Sequence, residues 1–238
     1  MRRVTVVTAY YLNKGMMAKQ AENFRSYPQK WRGAVEWIVV DDGSPRDPAE
    51  AVDCGIPLSV YRIGVDVPWS QDCARNIGAH EAQDGCWLLL TDMDHLIPEK
   101  TMHHVLTCPL EKGKVYKFQR VSAPGMEPYK PHPNSWLMSK SMFWDRVGGY
   151  DERFSLAGGA YGTDADFRNW CYAAVGEQNI EYLPVPLIRV PREVIPDAST
   201  TTLPRKTEAD GILIKQVRKQ RGGKKQITLA FEYKKVYP

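Results

Sequence analysis

The sequence contains no long apolar run and no paired cysteines. No stretch of its 238 residues approaches the roughly 18 apolar residues of a membrane-spanning helix. Its five cysteines are scattered and form no Cys-x-x-Cys pair, which argues against a disulfide framework or a structural zinc site. No internal repeat is visible. Because Met1-Arg2-Arg3 leads directly into a strand pattern rather than a signal peptide, we expect a cytoplasmic protein.

The composition is that of an ordinary globular protein, with 43% apolar and 25% charged residues. Its basic charge is unevenly distributed. The whole chain has a net charge of +4, yet the segment 205–238 carries ten basic residues against three acidic ones. The length suits one α/β domain with an appendage, and the charge distribution indicates that the appendage is basic.

Residues 87–95 form an apolar run that ends on two carboxylates and an imidazole. The run predicts a short strand buried on both faces. Asp92, Asp94 and His95 would then emerge at its carboxyl end, where open α/β sheets bind ligands. Oxygen ligands clustered there suit Mg²⁺ or Mn²⁺. The alternative is that the two aspartates cap a helix that begins near Pro98.

Short apolar strands alternate with helices over the first hundred residues. Residues 4–9 open with a β-branched run, and residues 37–40 repeat the buried pattern before Asp41 and Asp42. Residues 58–63 predict a third strand. This alternation indicates a mainly parallel, doubly wound sheet in which two strand ends carry acids.

The segment 69–79 predicts a helix with Ser70 as its N-cap. Ala74, Ile77 and Gly78 share one face, which permits close packing on a sheet. Arg75 and Asn76 would then face polar surroundings.

The second half of the chain has a looser pattern. Residues 124–133 are a proline-rich loop that we expect at a substrate-facing surface, and 140–147 predict a short helix. A glycine-rich turn leads into a helix ending near Val175, whose first turn contains Asp164. After a polar stretch from Asp197, the pattern predicts a basic helix over 207–221 and a strand over 227–231.

Five motifs in this order resemble nucleotide-sugar glycosyltransferases of the GT-A fold, closest in pattern to family 2. The resemblance covers residues 4–190, and the order and spacing are more specific than any single motif. The motifs are Thr8-Ala9-Tyr10, Val40-Asp41-Asp42-Gly43-Ser44, Ala74-Arg75-Asn76-Ile77-Gly78, Thr91-Asp92-Met93-Asp94, and the pair formed by residues 147–154 and 162–167.

The resemblance implies an α/β GT-A fold, which is Rossmann-like with a mainly parallel sheet flanked by helices. The catalytic domain would span 1–196, and 197–238 would be a basic helical and strand extension. Asp94, with Asp92 in the Asp-x-Asp motif, would bind Mn²⁺ or Mg²⁺, which neutralises the leaving nucleoside diphosphate. Further residues would contact the nucleotide donor: Thr8, Ala9, Tyr10, Asp41, Asp42, Arg75, Asp92 and Met93.

Asp164 matches the general base that, in the family, deprotonates the acceptor hydroxyl in an inverting displacement. Thr163 stands where the family has Glu, so Asp166 is kept as the competing candidate. His95 is either a third metal ligand or an ordinary loop imidazole. Trp136 lies where the family builds its acceptor site, although a plain core role fits equally well.

The basic tail has three competing interpretations. It is a solvated helix packed on the catalytic domain, a lid over the donor diphosphate, or a surface for a polyanionic acceptor such as modified DNA.

The sequence therefore predicts a metal-dependent enzyme that transfers a sugar from a nucleoside-diphosphate donor, UDP foremost, to a hydroxyl acceptor on a saccharide or modified DNA. A nucleotidyltransferase that makes such donors is the main alternative, although no glycine-rich phosphate loop follows the first strand. A non-catalytic nucleic-acid-binding protein would leave the ordered acids unexplained.

Overall fold

The computed structural model describes residues 2–122, 134–200 and 207–237. Within those ranges the strands are β1 (Val4–Tyr10), β2 (Val35–Asp41), β3 (Leu58–Ile63), β4 (Trp87–Asp92), β5 (His95–Leu96), β6 (Val115–Val121), β7 (Trp136–Ser139), β8 (Ile180–Arg189) and β9 (Tyr233–Tyr237). The α-helices are α1 (Lys14–Arg25), α2 (Gln71–Glu81), α3 (Glu99–Thr107), α4 (Arg153–Leu156), α5 (Thr163–Val175) and α6 (Glu208–Arg221). Turns of 3₁₀ helix cover Gln29–Trp31 and Glu177–Asn179, and a π-helical turn covers Met142–Val147.

One nine-stranded sheet organises the molecule, in the order β5-β8-β6-β7-β4-β1-β2-β3-β9. Strands β3, β2, β1 and β4 are parallel neighbours at its centre, as the alternation of strands and helices predicts. On either side the sheet changes direction, because β7 pairs antiparallel with β4 and β9 pairs antiparallel with β3. The parallel centre places the carboxyl ends of β1, β2 and β4 side by side.

The two faces of the sheet are each covered by helices. On one face α1 and α3 pack through Phe24 and Met102, and on the other α2 and α5 pack through Ile77 and Phe167. Helix α2 lies very close to β1, since a Cβ on Gly78 would stand 2.3 Å from a methyl carbon of Val7. This contact confirms the predicted close packing of α2.

The five cysteines are all free thiols, in agreement with the predicted absence of a disulfide framework. Cys86 and Cys171 are fully buried in the core, where they pack as small apolar side chains.

The basic helix predicted over 207–221 is confirmed as α6. Thr207 and Asp210 form a capping box at its start, and Gly222 ends it in the left-handed conformation. The strand predicted over 227–231 is wrong. The backbone N–H groups of Leu229 and Ala230 donate to the carboxylate of Glu152 instead of to a strand, and the true strand begins two residues later at Tyr233.

Three further predictions concern local structure. The helix predicted over 140–147 is present, with residues 140–141 helical and Met142–Val147 forming the π-helical turn. Arg75 and Asn76 face polar surroundings as predicted, but these lie in the interior: Arg75 contacts Asp92, and Asn76 donates to Glu152 at 2.7 Å. The proline-rich loop at 124–133 lies outside the described residues.

The C-terminal segment is joined to the same sheet as the rest of the chain. Besides the pairing of β9 with β3, the Tyr233 hydroxyl donates to Glu81 at 2.7 Å, and the buried Glu152 carboxylate holds Leu229. The division at residue 196 stays a prediction, but residues on both sides of it contribute to one core. No helix among the described residues is long and apolar enough to cross a membrane.

Candidate active site

A cleft opens where the three central strands end. In register, Ala9 stands opposite Asp92 on β4 and Tyr10 opposite Asp41 on β2, so the acids that end two different strands become neighbours. The cleft contains about 820 Å³ of space, its open mouth included. Six of the predicted site residues line it: Ala9, Tyr10, Asp42, Asp92, Met93 and Asp94.

The two adjacent acids at the end of β2, Asp41 and Asp42, have separate functions in the structure. Asp41 is fully buried, and its carboxylate accepts hydrogen bonds from the backbone N–H groups of Ser44 at 2.8 Å and Ala49 at 3.0 Å. Asp41 therefore holds the loop after the strand. Asp42 lines the cleft, and its Oδ2 accepts a hydrogen bond from the Ser70 N–H at 3.1 Å.

The second oxygen of Asp42 has no hydrogen-bond partner within the described part of the chain, although it is buried. Burial raises the pKa of Asp42 well above its usual range. This unpaired oxygen is suited to accept a hydrogen bond from an N–H or O–H of a ligand. Without such a partner, a buried polar group costs free energy.

Asp92, Asp94 and His95 form the one candidate metal cluster in the described ranges. One ligand atom from each lies within 4.8 Å of the other two. The His95 ring is 1% exposed, and its Nδ1 is hydrogen-bonded to Asp94 Oδ1 at 2.6 Å, an arrangement that orients both side chains. Two carboxylates and an imidazole fit Mn²⁺, whereas Mg²⁺ prefers oxygen alone.

Arg75 contacts the candidate metal cluster through Asp92. Its guanidinium is fully buried on α2 and is paired with Asp92 through Nη2, while Nη1 lies 3.8 Å from Asp72. It is not among the residues that line the cleft. The position of Arg75 therefore gives no direct support to the prediction that Arg75 contacts the nucleotide. Arg75 is linked to the site through its contact with Asp92.

The two candidate bases differ in their surroundings. Asp164, in the first turn of α5, is partly exposed, and burial raises its pKa, with the negative charge of Asp92 acting in the same direction. Asp166 is 3% exposed, and both its oxygens accept hydrogen bonds from Arg218 and Arg221. Because both Asp166 oxygens are already engaged by arginines, they are not free to meet an acceptor hydroxyl, which favours Asp164.

Thr8 and Trp136 lie in the core rather than in the cleft. The Thr8 hydroxyl accepts a hydrogen bond from the Trp37 indole at 2.9 Å. Trp136 is 0% exposed and packs edge-on against Phe167. The centre of its ring lies 3.4 Å from Nζ of Lys117. Of its two predicted roles, the core role agrees with this burial.

The cleft also contains residues that the motifs do not predict. Trp69 lies on one wall, with its indole donating to Thr163 at 3.3 Å, and residues 198–200 of the C-terminal segment lie on another. Asp197, just before them, accepts hydrogen bonds from the N–H groups of Gly15 and Met16 at the start of α1. The one feature of the sequence that marks the wall formed by residues 198–200 is the polar run at 198–202.

No family model and no curated sequence matches the chain. Among solved structures, residues 1–349 of TarS from S. aureus in complex with UDP-GlcNAc match with a TM-score of 0.64 over 92% of this chain, at 13% identity. The chain has the GT-A fold.

Two other structures with the GT-A fold match as well. The mannosyltransferase PcManGT from Pyrobaculum calidifontis, in complex with GDP-Man and Mn²⁺, gives a TM-score of 0.55 at 15% identity over 80% of this chain. Glucosyl-3-phosphoglycerate synthase from Mycobacterium tuberculosis, with phosphoglyceric acid, gives 0.52 at 15% identity over 93%. The chain spans 66% of that TarS structure, 57% of the mannosyltransferase and 80% of the synthase.

Proposed function

We propose that the protein is a metal-dependent glycosyltransferase that moves a sugar from a nucleoside-diphosphate donor, with UDP favoured, to a hydroxyl acceptor with inversion. The observation that carries this proposal is that Asp42, Asp92 and Asp94 line one cleft, with the buried His95 ring hydrogen-bonded to Asp94. A nucleoside at Asp42 and a diphosphate at the cluster would use both ends of that cleft. Solved structures of the same fold contain UDP-GlcNAc or GDP-Man.

Asp42 would bind the nucleoside. Its open oxygen accepts an N–H from the base or an O–H from the ribose, and the Ser70 N–H fixes the orientation of the carboxylate. The other candidate donor contacts are Ala9, Tyr10 and Met93 on the cleft wall.

Asp94, Asp92 and His95 would hold Mn²⁺. When bound, the ion would supply positive charge to the diphosphate, which leaves with the electrons of the glycosidic bond. Arg75 fixes one oxygen of Asp92, and His95 Nδ1 is hydrogen-bonded to one oxygen of Asp94, so both carboxylates are oriented before the donor binds.

Asp164 would take the proton of the acceptor hydroxyl. Its raised pKa makes it a stronger base than an ordinary aspartate. The acceptor oxygen then bonds to the anomeric carbon on the face opposite the departing diphosphate. Asp164→Asn is therefore expected to reduce the turnover number by about 10²- to 10⁴-fold while leaving donor affinity unchanged.

A donor screen tests the proposal. Calorimetry with UDP, GDP and other nucleotides, with and without Mn²⁺, is expected to show metal-dependent binding with a preference for UDP. Slow release of a nucleoside diphosphate from the sugar donor alone would support a transferase. Pyrophosphate-dependent release of a triphosphate would show a nucleotidyltransferase instead, and binding without any turnover would show a non-catalytic protein.

The acceptor we propose to test first is a polyanion such as DNA with hydroxylated bases. The exposed cations Lys215, Lys219, Lys224 and Lys225 lie on α6 and just after it, with no acid between residues 211 and 231. Transfer to DNA should weaken as salt increases and as Lys215 and Lys219 are changed to Glu. Salt-independent transfer to a neutral saccharide would exclude a polyanion.

A further inference from the structure

The segment that carries Asp164 is held on both sides by helix α6. On its N-terminal side, the Tyr161 N–H donates to Asp210 at 2.9 Å. Asp210 is itself fixed, because its other oxygen accepts hydrogen bonds from the Thr207 N–H and hydroxyl in the capping box. The chain just before Asp164 is therefore tied to the first turn of α6.

On the C-terminal side, Asp166 is tied to the last turn of α6. Arg218 Nε donates to one oxygen of Asp166 at 2.6 Å, and Arg221 Nη1 donates to the other at 2.8 Å. The Asp166 and Arg221 side chains are only 4% and 9% exposed, so the charge-assisted bond between them is shielded from solvent. They fix the residue two positions after Asp164.

Arg221 is in turn fixed by the domain core. Its side chain is 9% exposed and its guanidinium lies 4.4 Å from the centre of the Trp170 ring. The Trp170 indole donates to the Val147 carbonyl at 2.8 Å, and Arg221 also reaches Asp151 at 3.4 Å. The arginine is therefore a rigid link and not a mobile surface cation.

The chain before Asp164 needs such a link. Gly158, Gly159 and Gly162 all have positive φ values, of 97°, 81° and 104°. Glycines lose more conformational freedom on ordering than other residues, so this turn does not hold a fixed shape by itself. A base placed directly after it requires anchors from outside the turn.

We propose that Arg221 is a positioning residue which, through Asp166, holds the first turn of α5 so that Asp164 is in place to accept the acceptor proton. The role of Asp164 as base rests on the proposed function, whereas the ordering of the turn does not. Helix α6 is then part of the active-site framework and not a solvated appendage.

The kinetic test compares Arg221→Met with Gln220→Met, which changes the exposed neighbouring side chain on the same helix. Arg221→Met is expected to lower kcat by about 10- to 100-fold at unchanged donor KM and donor affinity, because a small displacement of a reacting group is costly. Arg221→Lys should recover part of the rate, and Gln220→Met should match the wild type. A loss of donor affinity equal to the loss of kcat would overturn the proposal.

A second measurement does not depend on turnover. Hydrogen exchange of the amides at 161–167 should become faster in Arg221→Met and in the isosteric Asp166→Asn, while exchange in β1 and β4 stays unchanged. The double variant should exchange no faster than either single variant, since both break the same link. Unchanged exchange at 161–167 would overturn the proposal even if the enzyme is active.

The kinetic test and the hydrogen-exchange test together distinguish the positioning role of Arg221 from the proposed function. If exchange responds as expected but no nucleotide sugar is turned over by the wild type, the positioning link stands and the proposed function fails. If the wild type transfers sugar but neither kcat nor exchange responds to Arg221→Met, the proposed function stands and the link is overturned. Asp166→Asn serves as the second variant should Arg221→Met fail to fold.

Discussion

Asp42, Asp92 and Asp94 lie in one cleft because the parallel strands that lead to them end at the same edge of the sheet. Their positions after apolar runs made this arrangement predictable. The contact of Arg75 with Asp92, seventeen residues along the chain, forms only when α2 packs on the sheet, so the sequence did not reveal it. The pattern of apolar residues in a helix indicates which residues are buried. It does not indicate which charged side chain a buried residue contacts.

Metal binding can be tested at Asp94. Asp94→Ala removes the carboxylate that His95 orients, so Mn²⁺-dependent donor binding should be lost, as it should on chelation by EDTA. Asp84→Ala, whose side chain is 99% exposed, is the matched control and should bind the donor normally. Calorimetry of nucleotide binding with Mn²⁺ provides the measurement. Equal affinity in wild type and Asp94→Ala would refute the metal site.

Stability should depend on pH through Asp72. Burial raises the pKa of Asp72 to about 7, even though Arg75 opposes this shift. The folded protein then retains the proton that the unfolded chain loses near pH 4. The free energy of unfolding should therefore fall as pH rises from about 4 to 7, by at most about 4 kcal/mol, and this contribution should be constant above pH 7.

Urea denaturation at several pH values tests this dependence. In Asp72→Asn the Asp72 contribution disappears, so the difference in stability between variant and wild type should shift in favour of the variant as pH rises. A difference that stays constant between pH 4 and 7 would contradict the raised pKa.

At the scale of elements, helix α2 is fixed by its close approach to β1. An alanine at Gly78 would press its methyl group against Val7, so Gly78→Ala should destabilise the protein by about 1–3 kcal/mol. Gly211, also inside a helix, has open space around it, and Gly211→Ala should stabilise by about 1 kcal/mol. Thermal unfolding of the pair checks the opposite signs. Two changes of the same sign would show that helix propensity, and not packing, dominates at Gly78.

Helix α1 shows why local sequence signals can miss a cap. Asn13 precedes the helix but makes no side-chain capping bond, and Asp197 supplies two acceptors from far along the chain. Only the folded structure could reveal this partner. The Asp197 carboxylate therefore occupies the N-terminus of α1, and helix N-termini bind phosphate groups in many α/β proteins.

Removing that cap should affect both stability and the cleft. Asp197→Ala is expected to cost about 1 kcal/mol of folding free energy. It should also weaken donor binding, because residues 198–200 line the cleft directly after it. Glu193→Ala, at an exposed position in the preceding segment, is the control. Donor affinity unchanged in Asp197→Ala would show that this wall does not contact the donor.

At the scale of the whole molecule, the parallel centre of the sheet was predictable and its flanks were not. Alternating strands and helices in the first hundred residues dictate β1 to β4 in parallel. The antiparallel strands β7 and β9 join the sheet across long connections, and nothing in their short apolar patterns specifies the neighbour. Long-range pairing is decided by the complete core.

The pairing of β9 with β3 has a consequence for synthesis on the ribosome. Strand β3 is made early, yet its outer edge stays open until Tyr233–Tyr237 has emerged. An open strand edge pairs readily with another chain, so the unfinished protein is prone to self-association during this interval. When β9 arrives it also places the exposed Lys234 and Lys235 along the new border, where like charges repel further copies. Strand β9 therefore protects an edge of β3 that is open until β9 has been made.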